Sequence, residues 1–117
     1  MKKIIFVDDD PGICDVAKIV FEKAGYDITI FSNGAPLLKN DYALPDIIIL
    51  DKQLPDIDGV ELCRKLKKQE RTKNVSVIML SANHNIKTLA KNAGADEVME
   101  KPFSLQDLRK MVAKYTD

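Results

Sequence analysis

Residues 46–59 read DIIILDKQLPDIDG: four apolar residues run straight into an aspartate, and a second aspartate-rich turn follows at once. A short, β-branched, nearly unbroken apolar run is the pattern of a strand covered on both faces. Ending it on a charge at Asp51 demands a reason. KIIFVD (3–8) and VSVIML (75–80) follow the same pattern, whereas DITIF (27–31) alternates polar with apolar and EVME (97–100) is barely apolar. Five strands are expected, three central and two at the sheet edges.

Helical patterns fill the gaps between them. Asp10 is placed to cap a helix that starts at Pro11, carries Ile13, Val16, Ala17, Val20 and Ala24 on one face and closes at Gly25. Asp58 and Glu61 have capping-box spacing ahead of Leu62, Cys63 and Leu66. Ile86, Leu89, Ala90 and Ala93 mark a helix ending at Gly94. Ser104 caps the last, with Leu105, Leu108, Met111, Val112 and Tyr115 facing inward, and only the second helix, around GAPLLKND (34–41), is weak. Repeated strand-helix units with right-handed crossovers predict an α/β, three-layer, doubly wound (βα)5 sandwich over residues 1–117, too short for a barrel.

Bulk properties remove several functions. Eighteen basic and eighteen acidic side chains cancel, so no net charge draws the chain to nucleic acid or an anionic membrane. The run of Arg64, Lys65, Lys67, Lys68, Arg71 and Lys73 lacks interleaved aromatics and is expected to be a solvated helix face. MKKIIFV (1–7) imitates a signal peptide, but Asp8, Asp9 and Asp10 stop it short, and no other stretch approaches a membrane span. Cys14 and Cys63 have no metal-ligand spacing, so two buried thiols in a reducing cytoplasm are expected.

In doubly wound sheets ligands bind beyond the carboxyl ends of the strands, where the strand order reverses. This sequence places Asp8 and Asp9, Asp51, Ser81 and Lys101 at those ends. Two carboxylates at about 4 Å repel by roughly 4 kcal/mol at an effective dielectric of 20, so three sharing a pocket need cations between them. Lys101 and a divalent metal meet that need. All-oxygen ligands favour Mg2+ or Mn2+ over zinc, since the single histidine, His84, belongs to the next helix and is expected to be solvated.

The motifs FVDDDPGI (6–13), IIILDKQLPDIDG (47–59), VIMLSA (77–82) and AGADEVMEKPF (93–103), with their spacing, make the chain resemble a receiver domain of two-component response regulators over essentially its whole length, similar to the bacterial chemotaxis response regulator. The resemblance implies a flavodoxin-like fold of strand order 2-1-3-4-5 in a phosphorelay protein. Asp51 would take a phosphoryl group from a sensor histidine kinase or histidine phosphotransfer protein. By the same resemblance, Asp9, Asp51 and the Gln53 carbonyl coordinate Mg2+, Asp8 assists through water, and Ser81, the Ala82 amide and Lys101 hold the phosphoryl oxygens. Gln53 and Asn83 match positions that tune the phosphoryl lifetime, Ser81 and Val98 match the switch positions, and Lys101-Pro102 matches a cis bond. An unidentified downstream protein would read the changed surface, and the domain would act on no substrate but its own aspartate.

Three departures stand out. Serine occupies position 81 where threonine is more frequent, Val98 replaces the usual aromatic switch residue, and Lys52 occupies a position that is usually apolar. A metal-dependent phosphohydrolase, a docking module that is never phosphorylated, and an excised domain of a hybrid kinase or transcription regulator remain as other readings of the residues.

Overall fold

A computed structural model describes all 117 residues. Five parallel strands, β1 (Lys3–Val7), β2 (Asp27–Phe31), β3 (Ile47–Asp51), β4 (Ser76–Ser81) and β5 (Glu97–Glu100), alternate with helices α1 (Pro11–Lys23), α2 (Ala35–Leu38), α3 (Gly59–Lys68), α4 (Lys87–Asn92) and α5 (Leu105–Thr116). A 3-10 turn, His84–Ile86, leads into α4. The sheet order is β2-β1-β3-β4-β5, the flavodoxin-like order, and it reverses direction at β1 and β3.

Alternation along each central strand divides the core in two. Ile47, Ile49, Ile78 and Leu80 join Phe6, Phe21, Leu108 and Val112 on the side of α1 and α5. Ile48, Leu50, Val77 and Met79 join Leu37, Leu62, Leu66 and Ile86 on the side of α2, α3 and α4. Every residue of β3 is buried, which explains its unbroken apolar run; each of its four aliphatic side chains contributes about 1.5–3 kcal/mol of burial. At the edge, β2 buries Ile28 and exposes Asp27 and Thr29.

The helix ends follow their local chemistry. Asp10 Oδ1 accepts from the Gly12 amide (2.9 Å) ahead of Pro11, and Ser104 Oγ accepts from the Asp107 amide (3.0 Å). Gly25 and Gly94 close α1 and α4 with φ of 91° and 101°, a region that side chains disfavour. The Asp58–Glu61 capping box forms only by half: Asp58 Oδ1 takes the Val60 amide (2.8 Å), while Glu61 pairs with Arg64.

Two helix faces differ from the periodic expectation. In α1 the buried residues are Cys14, Ala17 and Phe21, with Ile13 and Val20 half-buried and Ala24 exposed. Val16 is 47% exposed. The segment ICDVAKIVF is apolar around most of its circumference, so its phase is set by the bulky Phe21, packed edge-on against Tyr26 with ring centroids 5.7 Å apart. In α4, Ile86, Ala90 and Ala93 are buried but Leu89 is 55% exposed. Much of the basic run is engaged locally: Arg64 with Glu61, Lys67 with Asp96, Lys73 with Glu70, and Arg71 over the Tyr42 ring.

Candidate functional site

Strand register assembles the site. Val7 lies level with Leu50, so Asp8 and Asp51 come side by side just beyond. Asp51 is level with Leu80, and Ser81 with Glu100, which puts Lys101 one residue further out. The Lys52 amide donates to the Leu80 carbonyl (2.8 Å) and the Lys101 amide to the Ser81 carbonyl (2.8 Å), extending the ladders past the strand ends. The peptide bond Lys101-Pro102 is cis.

The result is a cleft of about 810 Å³ at the carboxyl edge of the sheet. Asp8, Asp9, Asp51, Gln53, Ser81, Ala82, Asn83 and Lys101 all line it, with Lys52 and His84 beside them. Asp8, Asp51 and Ser81 are buried, at 1%, 5% and 3% exposure. Lys101 Nζ lies 3.0 Å from Asp8 Oδ2 and 3.4 Å from Asp51 Oδ2. Asp8 Oδ1 accepts from the Asp10 amide (2.9 Å), which fixes the carboxylate plane. Cys14 Sγ donates to the Asp8 carbonyl (3.1 Å), and burial, followed by the charge of Asp8, pushes that thiol up to about 11.

Crowding shows in the electrostatics. Burial, and then the charge of Asp8, pushes the Asp51 carboxyl up to about 6 against the opposing pull of Lys101 and the Gln53 amide. Burial alone would lower the Lys101 ammonium, but its hydrogen bond to Asp8 and the charge of Asp51 hold it above the ordinary lysine value. Such a pocket is short of positive charge. Carboxylate oxygens of Asp8, Asp9 and Asp51 approach to within 4.8 Å of one another. This is an all-oxygen set of the kind hard divalent cations prefer, so the donors present fit Mg2+.

Gly59 explains the turn after β3. A Cβ there would lie 2.3 Å from the Asp51 carbonyl oxygen and 2.7 Å from Lys52 Cα, so only glycine lets α3 start this close to β3. The Ser81 hydroxyl accepts from the Asn83 amide (2.9 Å) and is occupied by its own turn.

Val98 stands apart from the cleft, half-buried against the core beside α4 and level with Met79. Two pairings beside the cleft were hidden in the sequence. His84, 77% exposed, is solvated as expected, yet its Nδ1 lies 2.7 Å from Glu100 Oε2. Lys52 Nζ lies 3.0 Å from Asp58 Oδ2. Each pair joins residues whose proximity depends on strand register or loop closure, and no local spacing announces it.

Comparison with known proteins agrees with this geometry. The family model described as response regulator receiver domain matches residues 4–113. The chain is 38% identical over 111 residues to the DNA-binding dual master transcriptional regulator RpaA of Synechocystis sp., covering 92% of this chain and 46% of that protein. It spans about half the length of the curated relatives it matches. Among solved structures, the chemotaxis response regulator CheY4 of Vibrio cholerae is 28% identical with a TM-score of 0.90, covering 98% of each chain. The receiver domain of a sensor histidine kinase from Pseudomonas aeruginosa is 25% identical with a TM-score of 0.88, covers 98% of this chain and 97% of its own, and has a magnesium ion coordinated in its active-site cleft. Sheet order, acidic cleft and similarity over nearly the whole length converge: the chain belongs to the response regulator receiver domains of two-component signalling, a family whose role is to accept a phosphoryl group.

Proposed function

We propose that Asp51 is the phosphoryl acceptor, that Asp8, Asp9, Asp51 and the Gln53 carbonyl hold Mg2+, or Mn2+ in its place, and that Ser81, the Ala82 amide and Lys101 hold the phosphoryl oxygens. The observation that carries this reading is the placement of Lys101 Nζ 3.0 Å and 3.4 Å from Asp8 and Asp51 inside a cluster of three carboxylates. When bound, the cation supplies the positive charge that the phosphoryl oxygens and the carboxylates require. An Asp51 oxygen attacks the phosphorus of a phosphohistidine, the P–N bond breaks, and its electron pair leaves on the imidazole nitrogen. Lys101 stabilises the charge on the transferring group. The Ser81 hydroxyl turns away from Asn83 to donate to a phosphoryl oxygen. Gln53 and Asn83, at the rim, set how readily water reaches the product.

A sensor histidine kinase or histidine phosphotransfer protein is the donor, and an apolar groove of about 520 Å³ supports this. It is lined by Ile13, Val16, Phe103 and Leu105 and shares Ala82 and Lys101 with the acidic cleft, so a partner helix seated there would bring a histidine to Asp51. A further protein reads the altered surface, through Ser81 and the segment leading into α4, with Val98 as a fixed backing. Residues 1–117 act as one cytoplasmic receiver domain that modifies only itself. No helix is long and apolar enough to cross a membrane. Intact mass after incubation with a small phosphodonor tests the reading: one Mg2+-dependent phosphoryl group is expected on the unaltered chain and none on Asp51→Asn. Equal labelling of both would refute the acceptor assignment, and sustained turnover of a phosphate monoester would favour a phosphohydrolase instead.

A further inference from the structure

Lys52 follows the acceptor directly and lines the cleft, yet its ammonium is directed to Asp58 rather than to any of the three clustered carboxylates. Both ends of residue 52 are tied to the start of α3. Its carbonyl accepts from the Gly59 amide (2.6 Å), and its Nζ lies 3.0 Å from Asp58 Oδ2. Gln53 and Asp58 form an antiparallel bridge, so residues 53–58 make a closed lobe with a narrow neck. At that neck the backbones pack almost without side chains between them, as the forbidden Cβ at Gly59 demonstrates. Burial raises the Asp58 carboxyl, but the hydrogen bond from Lys52 and the Val60 and Glu61 amides outweigh it and hold Asp58 below the ordinary aspartate value.

We infer that Lys52 and Asp58 form a clasp that fixes the Gln53 peptide and thereby sets the divalent-cation affinity of the cleft. The inference rests on the metal-site reading above. The Gln53 N–H, on the 52–53 peptide, hydrogen-bonds to the Asp51 carboxylate, and Gln53 is paired with Asp58 across the neck, so the backbone angles at residue 53 decide whether its carbonyl, on the following peptide, faces the carboxylate cluster. A pair that is 31% and 43% exposed contributes only about 0–1 kcal/mol to global stability. Its effect is local. Residues that orient a metal ligand without touching the metal typically change affinity by about 10–100-fold when removed, and the low end suits a clasp at the rim.

Charge alone predicts the opposite sign, which makes the idea testable. Lys52→Met removes a positive charge beside three carboxylates and, by electrostatics, would strengthen Mg2+ binding. The clasp predicts that it weakens binding about tenfold. The affinity is measured from amide shifts of residues 51–59 during an Mg2+ titration of the full chain, with thermal unfolding as the check on folding. Lys52→Arg, which keeps the cation, is expected to retain near-original affinity. Lys52→Met combined with Asp58→Asn keeps a helix cap and restores the net charge; under the clasp it remains weak. Recovery in that double variant would trace the loss to the unpaired Asp58 carboxylate rather than to a missing clasp and overturns the inference, as does unchanged or tighter binding in Lys52→Met alone. An unaltered chain with no saturable Mg2+ response overturns the metal-site reading itself, a result distinct from either.

Discussion

Asp51→Asn is expected to stabilise the metal-free protein. Asp51 is 5% exposed, and its carboxyl is raised from 3.8 to about 6 by burial and by Asp8. Asp51 holds its proton more tightly in the folded state, so the folded protein binds more protons than the unfolded chain between about pH 3.8 and 6. Stability therefore falls as pH rises through that window and stays reduced above it. Roughly two pKa steps at about 1.4 kcal/mol each give about 3 kcal/mol, and loss of the Lys101 contact lowers the net gain to about 2 kcal/mol. For a chain of this size that is a rise in Tm of roughly 6–10 °C near pH 7.5, followed by circular dichroism in the presence of a chelator. Near pH 4 the advantage should largely vanish, since the unaltered protein then carries Asp51 mostly protonated. Added Mg2+ should close the gap from the other side, stabilising the unaltered chain by about 1.4 kcal/mol at ten times its Kd and the variant far less. A variant no more stable than the parent near pH 7.5 without metal, or an advantage that persists undiminished to pH 4, would refute this account of the cleft.

Lys101→Ala leaves Asp8 and Asp51 facing each other without a cation; it should retain slow phosphorylation but lose phosphorylation-dependent partner binding, measured by co-elution. Unchanged binding would remove Lys101 from signal transmission. Gln53→Lys and Asn83→Glu should each alter the decay of phospho-Asp51, read by intact mass over time, and identical decay in both would exclude these residues from controlling water. Gly59→Ala forces a Cβ to within 2.3 Å of the Asp51 carbonyl oxygen and should cost about 2 kcal/mol or more in denaturant unfolding; a loss under about 0.5 kcal/mol, the ordinary surface range, would show that the neck is looser than described. With beryllium fluoride and Mg2+, amide shifts should cluster at residues 51–53, 81–89 and 101, and a response dominated by the Val98 methyls would point to a switch through that side chain instead.

The acidic cleft was legible in the sequence because parallel sheets align consecutive strand ends. A polar or charged residue at or just past the end of each strand was enough to bring Asp8, Asp51, Ser81 and Lys101 to one edge. Caps at Asp10 and Ser104 and closures at Gly25 and Gly94 were equally local and equally readable. The phase of α1 was not, because a helix apolar on most sides has no unique buried stripe until Phe21 meets the sheet. Leu89 misled for a related reason: α4 is short and begins in a 3-10 turn, so the spacing from Ile86 does not follow a continuous α-helix. Lys52 was noticed only as an unexplained charge. Its partner six residues on becomes a neighbour only after the loop closes, and the His84–Glu100 contact needs β4 and β5 to be paired first.

That last contact alters what the neighbourhood of β5 can do mechanically. Glu100 is level with Ser81 and precedes Lys101, and the Lys101 amide is bonded to the Ser81 carbonyl at 2.8 Å. With His84 Nδ1 also 2.7 Å from Glu100 Oε2, the β4–α4 loop and the end of β5 are pinned together at two points, one inside the sheet and one on the rim. Two pins suppress independent swinging, so a phosphoryl group that drew in Ser81 and Lys101 as proposed would pull on a single plank rather than on two separate levers. Displacement would then reach the outer surface as a tilt of α4 with its exposed Leu89, with no aromatic piston required at position 98.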